Sequence, residues 1–321
     1  MLYLTGGRLE PCWLRPNLPS PSRKAMSSNK NLVHGQTLQA PNSSGSRPPK
    51  TPLPLGATDC HHHLFSPAFP KKSGTMVARA EVEDYLLFKK RLGISRSVIV
   101  APSSYGTDNG ALLDALGRLG TDVARGVAIV DPEISDGELD ALHEAGVRGL
   151  RYYFMKGKGV TPDELRKMAC RAADRGWHVQ MVGERNKEVL VDWEDVLKQL
   201  AAPVVIDHFG YAPQPEGERS ATMDVIRRLL DTGNAYVKLS AVYIQSKAGY
   251  PNYADVNEMA IELVSQAPDR MLWGTDWPHT GAVGQKPDGA ALVEQLSLWA
   301  PDDQIRQKIL VDNPSQLYWC I

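Results

Sequence analysis

The sequence predicts an α/β fold, a single-domain (β/α)8 or TIM barrel with a disordered N-terminal extension. From residue 53 onward, short apolar strand-like runs alternate with stretches of helical periodicity, and eight such strand-helix units can be counted. Repeats of this kind indicate a parallel sheet with right-handed crossovers, and eight of them fit a barrel of about 250 residues. A doubly wound open sheet is the alternative. No GxGxxG motif or P-loop follows any strand, which removes the usual reason to prefer that sheet.

The composition is that of an ordinary globular protein. The chain has 321 residues, of which 42% are hydrophobic and 23% charged, and its net charge is -1. A charge this small gives no general attraction to nucleic acid or anionic membranes, and no apolar run reaches the roughly 18 residues of a membrane span. The four cysteines form no CxxC motif. We therefore expect a cytoplasmic protein whose partner is a small-molecule substrate, with no nucleic acid and no membrane; the oligomeric state is not fixed.

Residues 1–52 differ from the rest of the chain. They are rich in proline, serine and asparagine, lack sustained periodicity, and contain Glu10 as their one acidic residue. A segment of this kind cannot bury enough apolar surface to become ordered. We predict that 1–52 is a disordered extension and that 53–321 forms the barrel. An organelle transit peptide, or a start at Met26, remains an alternative interpretation.

The expected elements follow from apolar periodicity and from turn residues. Strands are predicted at 59–63, 97–101, 123–130, 147–154, 177–182, 203–207, 235–239 and 270–274. Helices are predicted at 109–119, 134–145, 161–175, 187–200, 221–232, 253–266, 288–299 and 302–310. Thr161 as N-cap with Pro162 at the first helical position is a typical helix start, and Gly176 is expected to end that helix.

The first strand carries the sequence Asp59-Cys60-His61-His62-His63. Because strand side chains alternate with period two, residues 59, 61 and 63 should face one side, and Cys60 and His62 the other. His61 and His63 then converge on a metal ion or a substrate oxygen, and imidazole suits zinc, manganese or iron. A histidine-rich strand end without function has the same sequence pattern, so the choice between the two depends on residues later in the chain.

Polar residues end several later strands, where the active sites of such barrels lie. The candidates are Ser103 after the second strand, Arg151 on the fourth, Glu184 after the fifth, His208 after the sixth, Tyr243 after the seventh and Asp276 after the eighth. For Arg151 the structural alternative is a pairing with Glu184 or Asp207. His178 opens the fifth strand and is expected at the opposite end of the barrel. Arg148 should face away from Arg151.

Several motifs together resemble the amidohydrolase superfamily over roughly residues 53–319. They are His61-x-His63, Val204-Val205-Ile206-Asp207-His208-Phe209-Gly210, Trp273-Gly274-Thr275-Asp276-Trp277-Pro278-His279 and Asp312-Asn313-Pro314. The nearest branch contains 2-pyrone-4,6-dicarboxylate hydrolase and sugar lactonases. Each motif alone is unspecific, but the set is specific.

The resemblance implies hydrolysis of a cyclic ester. Asp276 would activate water, while His61, His63 and His208 would polarise the lactone carbonyl. Alternatively, these three histidines and Asp276 would hold one divalent metal, zinc or manganese. The branch includes members that work without metal, so the expected cofactor is either none or one such ion. Arg151, Ser103 and Tyr243 would bind the substrate.

The sequence also departs from the pyrone hydrolase pattern. Ile244-Gln245 and Met155-Lys156-Gly157 stand where that pattern has arginines, and a tyrosine is missing between Gly74 and Ala80. Fewer cations imply a substrate with fewer carboxylates, but lactone hydrolysis remains the expected reaction. A metal-dependent decarboxylase on the same barrel is the first alternative, and a barrel that only binds a metabolite is the second.

Overall fold

The structure is a computed structural model that describes residues 37–71, 79–155, 158–185 and 187–320. The strands are β1 Thr58–His62, β2 Arg96–Val100, β3 Ala124–Ala128, β4 Val147–Met155, β5 Lys158–Gly159, β6 His178–Val182, β7 Val204–Ile206, β8 Ala235–Leu239 and β9 Met271–Trp273. Eight of them pair in parallel in the order β1-β2-β3-β4-β6-β7-β8-β9, and β5 is a two-residue antiparallel addition to β4. A bridge between His62 and Trp277 brings the two ends together, so the predicted barrel is confirmed.

Helices cover the outside of the barrel. They are α1 Val82–Leu92, α2 Gly110–Leu119, α3 Asp136–Glu144, α4 Pro162–Ala173, α5 Val189–Leu197, α6 Ala221–Asp231, α7 Val242–Gln245, α8 Asn257–Gln266, α9 Gly289–Trp299, α10 Asp303–Gln307 and α11 Asn313–Tyr318, with a π-helical turn at Lys308–Asp312. Within the described ranges, no helix is both long and apolar enough to span a bilayer. The sequence did not locate α1, because the buried Lys89 and Arg91 interrupt its apolar pattern.

The predicted start of α4 is confirmed in detail. The Thr161 side chain accepts a hydrogen bond from the Glu164 backbone, the Glu164 carboxylate accepts one from the Thr161 backbone, and Pro162 occupies the first turn. This reciprocal pairing satisfies two amide groups that a helix start otherwise leaves without partners. The helix itself ends at Ala173, and a short turn leads to Gly176, whose φ of 68° is readily adopted by glycine.

Part of the barrel interior is filled by apolar side chains. Val98, Val127, Val205 and Leu272 belong to one buried cluster that also includes Tyr318 of α11. The His178 ring packs edge-on against Tyr318, with centroids 5.2 Å apart. His178 therefore lies at the amino ends of the strands, opposite their carboxyl ends, as expected. The polar residues proposed for the site lie at the other, carboxyl end of the strands.

Part of the segment assigned to the extension lies against the barrel. The buried guanidinium of Arg91 donates to Ser43 Oγ at 2.9 Å and to the Ser44 carbonyl at 3.1 Å. Trp277 Nε1 donates to the Pro41 carbonyl at 2.9 Å. Residues 41–44 therefore have specific contacts that a disordered segment lacks, which corrects the expectation for this part. Residues 1–36 lie outside the described residues, and the domain boundary at residue 52 stays a prediction.

Candidate active site

The four residues proposed as the reactive set converge at the carboxyl end of the barrel. Oδ1 of Asp276 lies 3.5 Å from His61 Nε2, 3.6 Å from His63 Nε2 and 3.9 Å from His208 Nε2. The Nε2 atoms of His61 and His63 are 3.3 Å apart. All four side chains are buried. Three imidazoles thus point their outer nitrogens at one carboxylate oxygen.

Each imidazole is oriented through its other nitrogen. The partners of Nδ1 are Val100 O for His63 at 2.7 Å and Ser240 Oγ for His208 at 2.7 Å, while His61 Nδ1 lies 3.2 Å from Asp207 Oδ1 and 3.3 Å from Lys238 Nζ. A carbonyl can only accept, so His63 must carry its proton on Nδ1 and present a lone pair on Nε2. The Ser240 hydroxyl can donate or accept, so His208 can adopt either tautomer. Such outer contacts are typical of metal-ligating or catalytic histidines.

Burial keeps the histidines neutral. It lowers the pKa of His63 and of His208 to about 3. It also lowers the pKa of His61 well below the ordinary value. Neutral imidazoles are acceptors or ligands through an unprotonated nitrogen, so the site provides up to three of them beside Asp276.

Asp276 is placed by the turn that follows β9. Its backbone has a left-handed φ of 58°, and its amide donates to the His61 carbonyl at 2.8 Å. The half-buried Tyr243 donates a hydrogen bond to Oδ2. Burial raises the pKa of Asp276 to about 7, and the Tyr243 hydrogen bond opposes this rise. A carboxylate with such a pKa is suited to accept a proton near neutral pH.

A buried charged network lies beneath these residues. Asp207 accepts from Arg151 Nη2 at 3.2 Å and from Gln180 Nε2 at 2.9 Å, and Lys238 Nζ lies 3.5 Å from its Oδ1. Lys238 also donates to Gln180 Oε1 at 2.6 Å. Burial acts to raise the pKa of Asp207, but the adjacent His61 imidazole and the positive charges of Lys238 and Arg151 hold it well below the ordinary value. The network fixes the partner of His61 Nδ1.

Arg151 lies on the predicted strand, β4. It pairs with Asp207, which is one of the two structural partners considered for it. Its Nη1 also donates to the Ala101 carbonyl at 3.1 Å and to the Tyr153 hydroxyl at 2.9 Å. The side chain is only 4% exposed, and in the described part of the chain its Nε has no hydrogen-bond partner. A role in substrate binding stays a prediction that would depend on this donor and on the second hydrogen of Nη2.

Other predicted residues lie at the edge of the site or outside it. Ser103 is exposed, whereas the adjacent Ser104 is buried. Glu184 pairs with Lys187 on the same loop. Arg148 donates to the backbone carbonyls of residues 143 and 147, away from the site, as expected.

The alternation predicted for the first strand is only partly correct. Asp59 accepts from the Tyr85 hydroxyl at 3.0 Å, and the His62 ring stacks on the same Tyr85 at 3.7 Å, so Asp59 and His62 share the helix-facing side. Cys60 belongs to the interior cluster. The pairing of β1 with β2 is irregular between residues 59 and 62, and this irregularity puts Cys60 and His61 on the same side.

Asp59 instead connects the first strand to the turn that carries Asp276. It accepts from the Thr275 backbone at 2.9 Å and from the Thr275 hydroxyl at 2.6 Å. Burial raises the pKa of Asp59 to about 6, although these hydrogen bonds oppose the rise. Asp59 therefore supports the site from outside the barrel.

Three polar residues near the site were not singled out from the sequence: Gln180, Tyr153 and Tyr211. Gln180 is a buried polar residue within an apolar strand, and this pattern could have drawn attention to it. Tyr211 packs edge-on against His208 with centroids 5.5 Å apart. Its position depends on left-handed backbone at residues 208, 209 and 211, which the sequence does not indicate.

Known proteins similar to this chain are enzymes with ring-ester substrates in their names. The 2-pyrone-4,6-dicarboxylate hydrolase of Comamonas testosteroni is 37% identical over 286 residues, which cover 84% of this chain and 92% of that protein. The 4-sulfomuconolactone hydrolase of Rhizobium radiobacter is 35% identical and covers 86% of this chain and 94% of its own. The D-galactarolactone isomerase of Agrobacterium fabrum is 31% identical, with 84% and 93% covered.

Solved structures and a family model lead to the same assignment. An apo structure from Agrobacterium tumefaciens is 30% identical with a TM-score of 0.74 and covers 84% of this chain and 98% of that one. An amidohydrolase from Burkholderia multivorans with bound zinc is 19% identical with a TM-score of 0.60, over 82% of this chain and 98% of that one, and supports the fold alone. The model of the amidohydrolase family matches residues 58–319. The chain therefore belongs to the amidohydrolase family.

Proposed function

We propose that the protein is a hydrolase that opens a small, carboxylate-bearing lactone with a water molecule activated by Asp276. The observation that carries this proposal is the position of Asp276 Oδ1, which faces the three imidazole nitrogens at 3.5–3.9 Å while Tyr243 occupies Oδ2. Ester hydrolysis needs a base for water and a group that stabilises the developing oxyanion. Both kinds of group are available within this cluster.

The residues differ in what they offer to the substrate. Asp276 takes the proton of the attacking water, because its pKa of about 7 makes it a base at neutral pH. His208 is suited to donate from Nε2 to the lactone carbonyl, because the Ser240 hydroxyl at 2.7 Å from Nδ1 permits that tautomer. His63 cannot donate in this way, since its Nδ1 proton is held by the Val100 carbonyl. His63 is instead an acceptor for water, or a metal ligand.

The donor set also fits one divalent metal, zinc or manganese. Two ligands held tetrahedrally at the usual zinc distance lie about 3.4 Å apart. Here the Nε2 atoms of His61 and His63 are 3.3 Å apart, and the facing atoms of His61, His208 and Asp276 lie within 4.8 Å of one another. His61, His63, His208 and Asp276 would hold the ion, which when bound supplies Lewis-acid activation.

The substrate class follows from the relatives and from the charges. The named relatives act on a 2-pyrone or on lactones, which favours lactone opening over the decarboxylase alternative. Asp207 pairs with both Arg151 and Lys238, so these three side chains together keep one net positive charge. A substrate with fewer carboxylates than a pyrone dicarboxylate fits this arrangement better. Tyr243, Arg151 through its Nε, and Ser103 at the edge remain the proposed substrate contacts.

The proposal is tested by a panel of lactones with and without carboxylates, followed with a pH indicator alongside metal analysis of the purified protein. We expect acid release from at least one carboxylate-bearing lactone. Mass spectrometry distinguishes the outcomes, since hydrolysis adds one water, isomerisation leaves the mass unchanged and decarboxylation releases carbon dioxide. An unchanged mass with a new retention time would overturn hydrolysis in favour of isomerisation.

A further inference from the structure

An exposed arginine, Arg185, lies at the mouth of the barrel. Arg185 lies on the loop after β6, is exposed, and forms no ion pair with any residue in the described ranges. By contrast, Arg151 and Lys238 are buried against Asp207, and Lys187 on the same loop pairs with Glu184. An arginine without a partner at a site entrance is available to a ligand anion.

Arg185 shares a cleft with residues that border the reactive set. The cleft is narrow, with a volume of about 10 Å³ in this conformation, and is lined by Arg185, Tyr211, Pro213, Gln214 and Ile244, so a bound substituent would need the exposed Arg185 side chain to move outward. A methyl group added at Gly281, on the loop after β9, would lie 3.3 Å from Arg185 Nη2 and 3.4 Å from Ile244 Cδ1. Arg185 also interacts electrostatically with Tyr243, the residue that hydrogen-bonds to Asp276. The guanidinium is therefore next to the catalytic turn rather than on a distant surface.

Tyr211 is the second polar group of this cleft, and its backbone is unusual. His208, Phe209 and Tyr211 all have left-handed φ angles, of 52°, 54° and 58°. Such backbone is unfavourable for residues other than glycine and concentrates at functional sites. It carries the Tyr211 ring against His208 and over Gly183, where an added Cβ would lie 3.1 Å from Tyr211 Cδ2.

The Tyr211 hydroxyl is free to bind a ligand. None of the residues that the structure describes forms a hydrogen bond with it, although Arg151, Asp276 and Tyr153 are close enough to interact electrostatically. A phenol beside one free guanidinium offers a directional donor together with a charge. Ile244 supplies an apolar wall to the same cleft.

We propose that Arg185 and Tyr211 form a specificity subsite that binds the anionic substituent of the lactone, with Arg185 providing the charge and Tyr211 a hydrogen bond. This inference rests on the proposed lactone chemistry and names the residues that select the substrate. Neither residue forms a hydrogen bond or an ion pair with Asp276 in the described structure, although the Tyr211 ring packs against His208. Loss of the Arg185 charge, or of the Tyr211 hydroxyl with the ring kept, should therefore affect KM for an anion much more than kcat.

The test compares a butenolide that bears a carboxymethyl group with its neutral methyl ester. Arg185→Met should raise KM for the acid about tenfold, the effect expected for one exposed charge-assisted hydrogen bond, and leave KM for the ester within about twofold. Tyr211→Phe keeps the ring and should raise KM for the acid about threefold. Arg185→Lys should lie between wild type and Arg185→Met, because the charge remains while the planar fork is lost.

Lys187→Met is the matched control, because it removes a positive charge two residues away that is already paired. Equal KM increases for acid and ester in Arg185→Met, or the same selectivity loss in Lys187→Met, would overturn the subsite. Calorimetric binding of the acid keeps the two proposals distinguishable. A wild type that binds the acid in an Arg185-dependent way without turnover would contradict the hydrolase and support the subsite. Turnover of the acid that stays unchanged when Arg185 is replaced would support the hydrolase and contradict the subsite.

Discussion

Tyr243 donates its hydroxyl hydrogen to Oδ2 of Asp276, which leaves Oδ1 as the oxygen that faces the imidazoles. The two oxygens of this carboxylate therefore have different environments. One is fixed by a phenol from α7, and the other lies 3.5 Å from His61 Nε2. A base held in this way has one orientation, so the turn after β9 determines where water can be deprotonated.

Replacement of Asp276 by asparagine should remove catalysis and preserve the fold. Asparagine keeps the acceptor for Tyr243 but cannot take a proton. We expect kcat to fall at least about a hundredfold, the lower range for loss of a positioned base, with little change in Tm. Asp269→Asn, at an exposed ion pair with Lys308, is the control. If the Asp276 variant keeps more than about a tenth of wild-type kcat, His208 or Glu184 becomes the candidate base.

The pH dependence should report on the Tyr243–Asp276 pair. Burial raises the pKa of Asp276 to about 7, so in the metal-free protein kcat/KM should rise with pH through about 7 as the base loses its proton. The Tyr243 hydrogen bond lowers that pKa. Tyr243→Phe should therefore shift the acidic limb to higher pH, while Tyr250→Phe, at an exposed tyrosine, should not. A shift to lower pH would contradict this assignment.

The strand ends could be predicted from the sequence because His208 and Asp276 each follow a short apolar run that only a buried strand explains. The first strand shows where period-two reasoning fails. One irregular pairing between residues 59 and 62 moved Asp59 to the helix side and Cys60 inward. No local signal marks such an irregularity, since it depends on the neighbouring strand.

Contacts between the side chains of neighbouring strands could not be predicted from the sequence either. Asp207 was noted as a possible partner of Arg151, but its bonds to Gln180 and Lys238 join side chains from three different strands. Tyr211 depends on left-handed backbone angles that nothing in its composition indicates. The reactive residues at the strand ends can therefore be predicted from the sequence, whereas the residues that orient them are identified from the folded structure.

Gly149 should be intolerant of a methyl group. An added Cβ would lie 2.3 Å from Cε1 of His178, which fills the barrel interior beside β4. Gly149→Ala should lower the free energy of unfolding by about 1–3 kcal/mol through overpacking. Gly137→Ala, where nothing lies within 4 Å, should not destabilise the protein. His178→Ala should relieve the clash, so non-additive unfolding energies in the double variant are the sharper measurement.

Arg151→Met separates two roles for this arginine. Its Nη2 lies 3.2 Å from Asp207 in a buried pair, so its removal leaves a buried carboxylate with Lys238 as the remaining positive partner. Because Lys238 still compensates Asp207, we expect a loss of about 1–3 kcal/mol in stability from the lost hydrogen bonds, and a larger KM increase for an acidic lactone than for a neutral one. Denaturant unfolding and paired KM values test this. Equal losses on the two lactones would overturn the substrate contact and leave the arginine a structural role alone.

Truncation should show that part of the N-terminal segment stabilises the barrel. A chain that lacks residues 1–36 keeps every described contact and is the reference. A chain that lacks residues 1–50 loses Ser43 and Ser44, which accept hydrogen bonds from the buried Arg91, and leaves Asp288 as its partner at 3.2 Å. Each buried group left without a partner costs about 1–3 kcal/mol, so the shorter chain should have the lower Tm.

The same truncation should also affect activity. It removes the Pro41 carbonyl that accepts from Trp277 Nε1, and Trp277 directly follows Asp276. A looser turn positions the base less well, so kcat should fall in the chain that lacks residues 1–50 and not in the reference. Pro41→Ala in the full chain is the control, because it changes the side chain and keeps the carbonyl. Equal Tm and kcat in the two truncated chains would mean that these contacts contribute no net stabilisation and that the barrel holds Asp276 in place without them.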